Sequence, residues 1–189
     1  MTQHPRLDFE FVASPTALRL IEPDIAPFEN SSPMLLIALR SDTAYRLAVA
    51  PLIAKKLATV LRWVENQATR IEMALQEAIA NAVVHGNWNI QNSNRTLEGF
   101  GDYCDEVDAA LADPVRAAKA VVVEATWTVD QLSCDVSDQG AGYIELRKSD
   151  PCCAYGRGLA LTAQSCDEMA WDNGRRRMRM IFRRVPGVP

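Results

Sequence analysis

The stretch "EMALQEAIANAVVHGN", Glu72 to Asn87, decides the fold. At 100° per residue, Ile71, Leu75, Ala78 and Ala82 fall within about 60° of one another and form the core stripe of a helix. Glu77, Asn81 and His85 form a second row at steps of four residues. That row is displaced from the core stripe by roughly 40 to 120°, so it borders the core. Taken alone, such a row is more often a solvated flank; at the edge of a core it also suits the wall of a pocket. Thr69 and Glu72 have capping-box spacing and predict the helix start, and Gly86 predicts its stop.

Upstream, "MLLIALR", Met34 to Arg40, reads as a strand. The apolar spacing from Thr43 to Val64 predicts helix, with Pro51 as a kink or restart. Residues 1–34 hold half of the prolines and read as an N-terminal extension, with one strand-like piece at Leu7 to Val12. Residues 35–189 read as one domain. Downstream, residues 87–119 are polar and contain Gly99, Gly101 and Pro114, with a short helix predicted from Tyr103 to Ala112. "AVVVEATW" (120–127) and "QLSCDVSD" (131–138) read as strands, and "LALTAQSCDEM" from Leu159 as a helix. "RRRMRMIFRR" alternates so that Met178, Met180 and Phe182 share one face. Helices first, then mainly antiparallel strands with a helix among them, predict an α+β fold, a two-layer α/β sandwich.

The composition narrows the functions. The net charge is −4, which does not favour nucleic acid as a partner. The six arginines at 175, 176, 177, 179, 183 and 184 fit a solvated outer face or a protein-docking edge better than a nucleic-acid surface. The start shows no signal-peptide pattern, and no apolar run is long enough to cross a bilayer, so a cytoplasmic location is expected. The five cysteines read as reduced thiols. Adjacent Cys152 and Cys153 lack the second pair or nearby histidine that a zinc site needs.

In the strand "QLSCDVSD", Leu132, Cys134, Val136 and Asp138 share one side by the two-residue period. A carboxylate ending an apolar side needs a hydrogen-bonding partner. A ligand donor such as the exocyclic amine of adenine would serve; alternatively Asp138 begins a turn, where Asp is favoured anyway. "DQGAGY" follows, with Gly140 and Gly142, and then "GRGLAL", with Gly156 and Gly158 before a helix whose free N–H groups suit phosphate.

Together, E-x-x-x-N-A-x-x-H-G-N, D-x-G-x-G-Y and G-R-G-L resemble the nucleotide site of the GHKL (Bergerat-fold) ATPases. The short form most resembles the bacterial anti-sigma factor serine kinases, over roughly residues 35–185. Ala141 stands where such proteins often carry proline, and residues 87–119 are longer than a minimal member needs.

The resemblance implies helices on a mixed, mostly antiparallel sheet, and ATP and Mg2+ as cofactors. It implies that Glu77 is the general base toward a serine hydroxyl and that Asn81 is the Mg2+ ligand. Asp138 would read the adenine amine, and Gly140 and Gly142 would let the nucleotide lie close. Gly156, Arg157, Gly158 and Leu159 would close the phosphate side, with 143–155 as a lid. The implied partners are a sigma factor or other regulatory protein and an anti-sigma antagonist as phosphoacceptor. Kinases of this type often form homodimers. Two other readings stay open: a nucleotide-gated binding module with little catalysis, and the ATPase half of a histidine kinase acting on a separate protein. Autophosphorylation on histidine is disfavoured, because the only histidines are His4 and His85.

Overall fold

A computed structural model describes residues 34–63, 65–90, 97–141, 157–172, 174 and 176–184. The expected strand at Leu7 to Val12, the lid at 143–155, Gly142, Gly156 and the Cys152–Cys153 pair lie outside the described residues. Of Arg157 only the backbone is described.

The described chain runs β1 (Met34–Arg40), α1 (Ser41–Arg46), α2 (Val49–Leu61), α3 (Glu65–Asn81), a π-helical turn (Ala82–Asn87), α4 (Leu97–Ala112), α5 (Pro114–Ala118), β2 (Ala120–Trp127), β3 (Gln131–Ser137), α6 (Arg157–Ser165), β4 (Glu168–Asp172) and β5 (Arg177–Arg183). Five strands form one sheet in the order β1-β2-β3-β5-β4. All its pairings are antiparallel, which narrows the expected mixed, mostly antiparallel sheet. The α+β two-layer class holds.

Side chains alternate across each strand, so one face of the sheet is apolar. Val121, Val123, Ala125, Leu132, Cys134 and Met180 are fully buried, with Val136, Met178 and Phe182 nearly so. The helical layer covers this face. Its centre is α3, packed between α2 and α6 and against β3 and β5. Ile71, Ala74, Leu75 and Ala78 form the buried stripe of α3, as the 100° reading requires. Burying Ile71 and Leu75 contributes about 1.5 to 3 kcal/mol each. Two polar anchors fix the start of α3. Gln67 Nε2 donates to the Arg183 carbonyl at 3.0 Å, and Arg70 Nε donates to the Ser165 carbonyl at 3.0 Å.

The opposite face of the sheet carries charge. Arg177 bonds Glu124 at 3.1 Å and Asp135 at 2.9 Å, Arg179 bonds Asp135 at 2.9 Å, and Arg183 pairs with Glu168. These arginines therefore sit on the outer face with acidic partners.

Several boundaries differ from the sequence reading. The chain turns at Arg62 in the left-handed region (φ 53°), and α3 then starts at Glu65, ahead of the Thr69–Glu72 box. The expected helix from Thr43 is broken at Leu47–Ala48, and Pro51 lies in the first turn of α2, where its missing N–H costs no hydrogen bond. α4 runs straight through Gly99 and Gly101, and is longer than the expected Tyr103–Ala112. Asp113 caps α5 by accepting from Val115 N at 2.8 Å and Arg116 N at 3.3 Å, with Pro114 in the first turn. The last helix ends at Ser165, and Glu168–Met169 belong to β4, because Asp167 accepts from Arg183 N at 2.7 Å and turns the chain onto the sheet.

Candidate functional site

The polar row on α3 faces the start of α6. Glu77 and Asn81 are both half-buried. A Cβ added at Gly158 would lie 2.4 Å from Glu77 Oε2 and 3.8 Å from Asn81 Nδ2. The absence of a side chain at Gly158 is therefore what lets the α6 backbone lie directly on the row. Thr162 Oγ1 donates back to the Gly158 carbonyl at 2.9 Å and holds the first turn. An open cleft of about 360 Å3 continues from this contact, lined by Glu77, Gly158, Ala160, Leu161 and Gln164. Leu159, half-buried, packs on the core and anchors the turn.

Asn81 Nδ2 is buried with no hydrogen-bond partner. An unsatisfied buried amide costs about 1 to 3 kcal/mol, so a carboxamide held this way is suited to a ligand that completes it. Turning the amide over would place its oxygen at the same spot, still without a partner there.

The turn that follows α3 forms a second cluster. At Ala82 the α-helix gives way to a π turn, closed by Trp88 N donating to the Val83 carbonyl at 2.9 Å. Such turns are rare and frequent at functional sites. Here the turn carries Gly86 against Asp138. A Cβ at Gly86 would lie 2.5 Å from Asp138 Cγ, and one at Gly140 would lie 2.1 Å from the Gly86 carbonyl oxygen. Neither glycine has a positive φ. Gly86 was expected as a helix stop; it is instead a point of close approach inside the π turn, with the helix running on to Asn87.

Asp138 stands just past the end of β3. Its Oδ1 accepts from Gly140 N at 2.7 Å, and its own N–H donates to the Arg176 carbonyl at 3.0 Å. Burial pushes its carboxyl above the usual carboxylate range; the Gly140 N–H and the charges of Arg176 and Lys119 oppose that shift. The turn and the ligand readings of Asp138 thus coexist. One oxygen closes the turn, and the carboxylate still needs charge or donors to offset its burial.

His85 lies half-buried in the π turn. Its Nδ1 lies 2.7 Å from the Ile90 carbonyl, an acceptor, so Nδ1 carries the proton. Trp88 packs on Tyr45 with centroids 5.0 Å apart and rings tilted by 50°, and donates its Nε1 to the Arg116 carbonyl at 3.3 Å, docking α5 beside the π turn. Tyr103 on α4 lies against Tyr45, and burial foremost, then Tyr45, pushes its hydroxyl up to about 12.

The structure thus brings Glu77, Asn81 and Gly158, with Leu159 next to it, together at the last turns of α3. Asp138 and Gly140 meet Gly86 in the π turn that follows, about 13 Å farther along the helix axis than Glu77. Asn87, to which the sequence reading gives no role, and Gly86, which it reads only as a helix stop, belong to the second cluster. The run His85-Gly86-Asn87 was their visible trace, but its meaning depends on a π turn that a fixed 100° period conceals. Among the described residues, no three His, Cys, Asp or Glu side chains group as a metal site, and no helix is long and apolar enough to cross a membrane.

No curated protein matches the chain. Residues 39–182 match the family model of the histidine kinase-like ATPase domain. That range takes in all of α3, the turn at Asp138, α6 and most of the sheet, and the chain belongs to the histidine kinase-like ATPase family.

Proposed function

We propose that the chain is an ATP-dependent protein serine kinase of the anti-sigma type, acting in the cytoplasm by partner switching. The observation that carries this reading is the asymmetry of two polar clusters along one helix: a half-buried carboxylate, Asp138, meets the π turn, and a carboxylate with an unsatisfied carboxamide, Glu77 and Asn81, stands in the last turns of α3 before it. That spacing suits a ligand with a base at one end and phosphates at the other.

Asp138 accepts from the exocyclic amine of adenine, and Gly140 leaves the turn open to the ring. The N-terminal turn of α6, with Gly158 and Leu159, directs N–H groups at the phosphates. Asn81 and the phosphates suit Mg2+, which takes few protein ligands and keeps the rest of its shell as water or phosphate oxygen. When bound, that ion supplies positive charge against the phosphate oxygens. Turned over, the buried amide of Asn81 would present Oδ1 where Nδ2 now lacks a partner, the oxygen ligand that Mg2+ takes.

Glu77 takes the proton of an acceptor serine hydroxyl. The serine oxygen bonds to the terminal phosphorus, the bond to the bridging oxygen breaks, and ADP leaves. The acceptor is an antagonist protein, and a sigma factor is the second partner of a homodimeric kinase.

Glu77→Gln should bind ATP as the wild type does and transfer phosphate roughly 10² to 10⁴-fold more slowly, the usual worth of a general base. Capture from the native cell with the Glu77→Gln protein plus ATP, followed by phosphosite mapping with the wild type, tests the rest. A sigma factor and a phosphoserine on a captured antagonist are expected. Phosphohistidine on another protein, or no acceptor at all, contradicts the serine-kinase reading.

A further inference from the structure

Asn87 makes three side-chain hydrogen bonds beside the Asp138 turn, and the proposed transfer does not use it. It ends the π turn and is 1% exposed. Its Nδ2 donates to Ser41 Oγ at 2.8 Å and to the Ala120 carbonyl at 3.0 Å. Its Oδ1 accepts from Gln139 N at 2.7 Å. The Gln139 side chain closes a ring, with Oε1 accepting from Ala120 N at 2.8 Å. Lys119 Nζ caps the Asn87 carbonyl at 2.9 Å.

The amide orientation is fixed by chemistry. The Ala120 carbonyl only accepts and the Gln139 N–H only donates, so a flipped Asn87 would face a like group on both sides. Gln139 lies between Asp138 and Gly140, the two residues that meet Gly86. Asn87 therefore grips the backbone of the Asp138 turn by its middle residue, while Gly86 supports the residues on either side.

We infer that Asn87 is a positioning residue for base recognition: it holds the Asp138–Gly140 turn so that the Asp138 carboxylate meets the 6-amino group of adenine. Ser41 and Ala120 tie the same amide to the start of α1 and of β2, so the base-reading carboxylate is referenced to the sheet through one side chain. The inference rests on the adenine role proposed for Asp138.

The test compares ATP with inosine triphosphate, which places an acceptor where adenine has its amine. Wild type should prefer ATP. Asn87→Ala should lose roughly tenfold in ATP affinity, the cost of a buried hydrogen bond, and lose less for inosine triphosphate. The preference for ATP should therefore narrow. In an Asp138→Asn background, adding Asn87→Ala should leave the remaining preference unchanged, because both act through one carboxylate. Ser41→Ala, which removes one of the two Nδ2 bonds and leaves the Gln139 contact in place, should narrow the preference less than Asn87→Ala does.

A merely structural role would lower the melting temperature and weaken both nucleotides equally, and that result overturns the inference. Failure of wild type to bind ATP sinks the adenine reading itself, a different result. Should Asn87→Ala not fold, amide exchange in the wild type decides. Gln139 N–H lies beyond the end of β3 yet should exchange about as slowly as the strand, and exchange at the free-peptide rate overturns the proposal.

Discussion

Asp138 is held at a cost. Burial raises its folded-state affinity for a proton above that of the unfolded chain. Between the unfolded value near 3.8 and the higher folded value, the folded state binds more protons, so stability falls as pH rises through that window. Above it the charged carboxylate is a net loss to the fold. Asp138→Asn should therefore melt no lower than the wild type at neutral pH without ligand, and any advantage should vanish below that window. Calorimetric melting across pH checks this, and a clearly lower melting temperature for Asp138→Asn at neutral pH contradicts it. At the Glu77 cluster, a methyl at position 158 would collide with Glu77 Oε2, the far end of a side chain that can swing away. Gly158→Ala should fold with little loss of stability and transfer phosphate at least about tenfold more slowly, since a base must lie within hydrogen-bond reach of its proton. Single-turnover kinetics measures this. Unchanged transfer would show that Glu77 need not stand where the structure places it.

The glycines of α4 and of the Asp138 turn separate two uses of one residue type. Gly101 is exposed in α4 with nothing within 4 Å of an added Cβ, so it only weakens its helix. Gly101→Ala should stabilise the protein by about 0.5 to 1 kcal/mol. Gly140 faces backbone, the Gly86 carbonyl, which cannot swing aside. Gly140→Ala should cost about 1 to 3 kcal/mol, as overpacking does, and weaken nucleotide binding as well. Denaturant unfolding of the two variants should give opposite signs, and equal effects would remove the close approach from the account. The same comparison shows what could be read from sequence. Core faces were legible wherever a period ran long enough, as for Ile71, Leu75 and Ala78 on α3 and for Met178, Met180 and Phe182 on β5. Glu77, Asn81 and Asp138 stood out because polar groups interrupted those periods. β4 was not legible, since its alternation spans only Met169 and Trp171 and its start is set by a bond from Arg183 to Asp167. The same holds for Asn87, whose partners are 32 to 52 residues away along the chain.

At the scale of the molecule, the sheet and the helical layer do one thing together for the site. α3 packs between α2 and α6 and is tied to β5 through Gln67, which sets the row Glu77–Asn81 against the sheet. β3 delivers Asp138 at its end, and α6 delivers Gly158 at its start. Packed elements of secondary structure therefore carry both clusters, which suits phosphoryl transfer, a reaction in which the protein supplies mainly position and charge. The central claim is that Asp138 reads the base of a nucleotide whose phosphates reach Glu77 and Asn81. Calorimetric titration of Mg·ATP into wild type and Asp138→Asn tests it most directly. A hydrogen bond to a charged group is worth about 1.5 to 3 kcal/mol, so the variant should bind ATP roughly 10- to 150-fold more weakly. Equal affinity for ATP in the two proteins would contradict the account.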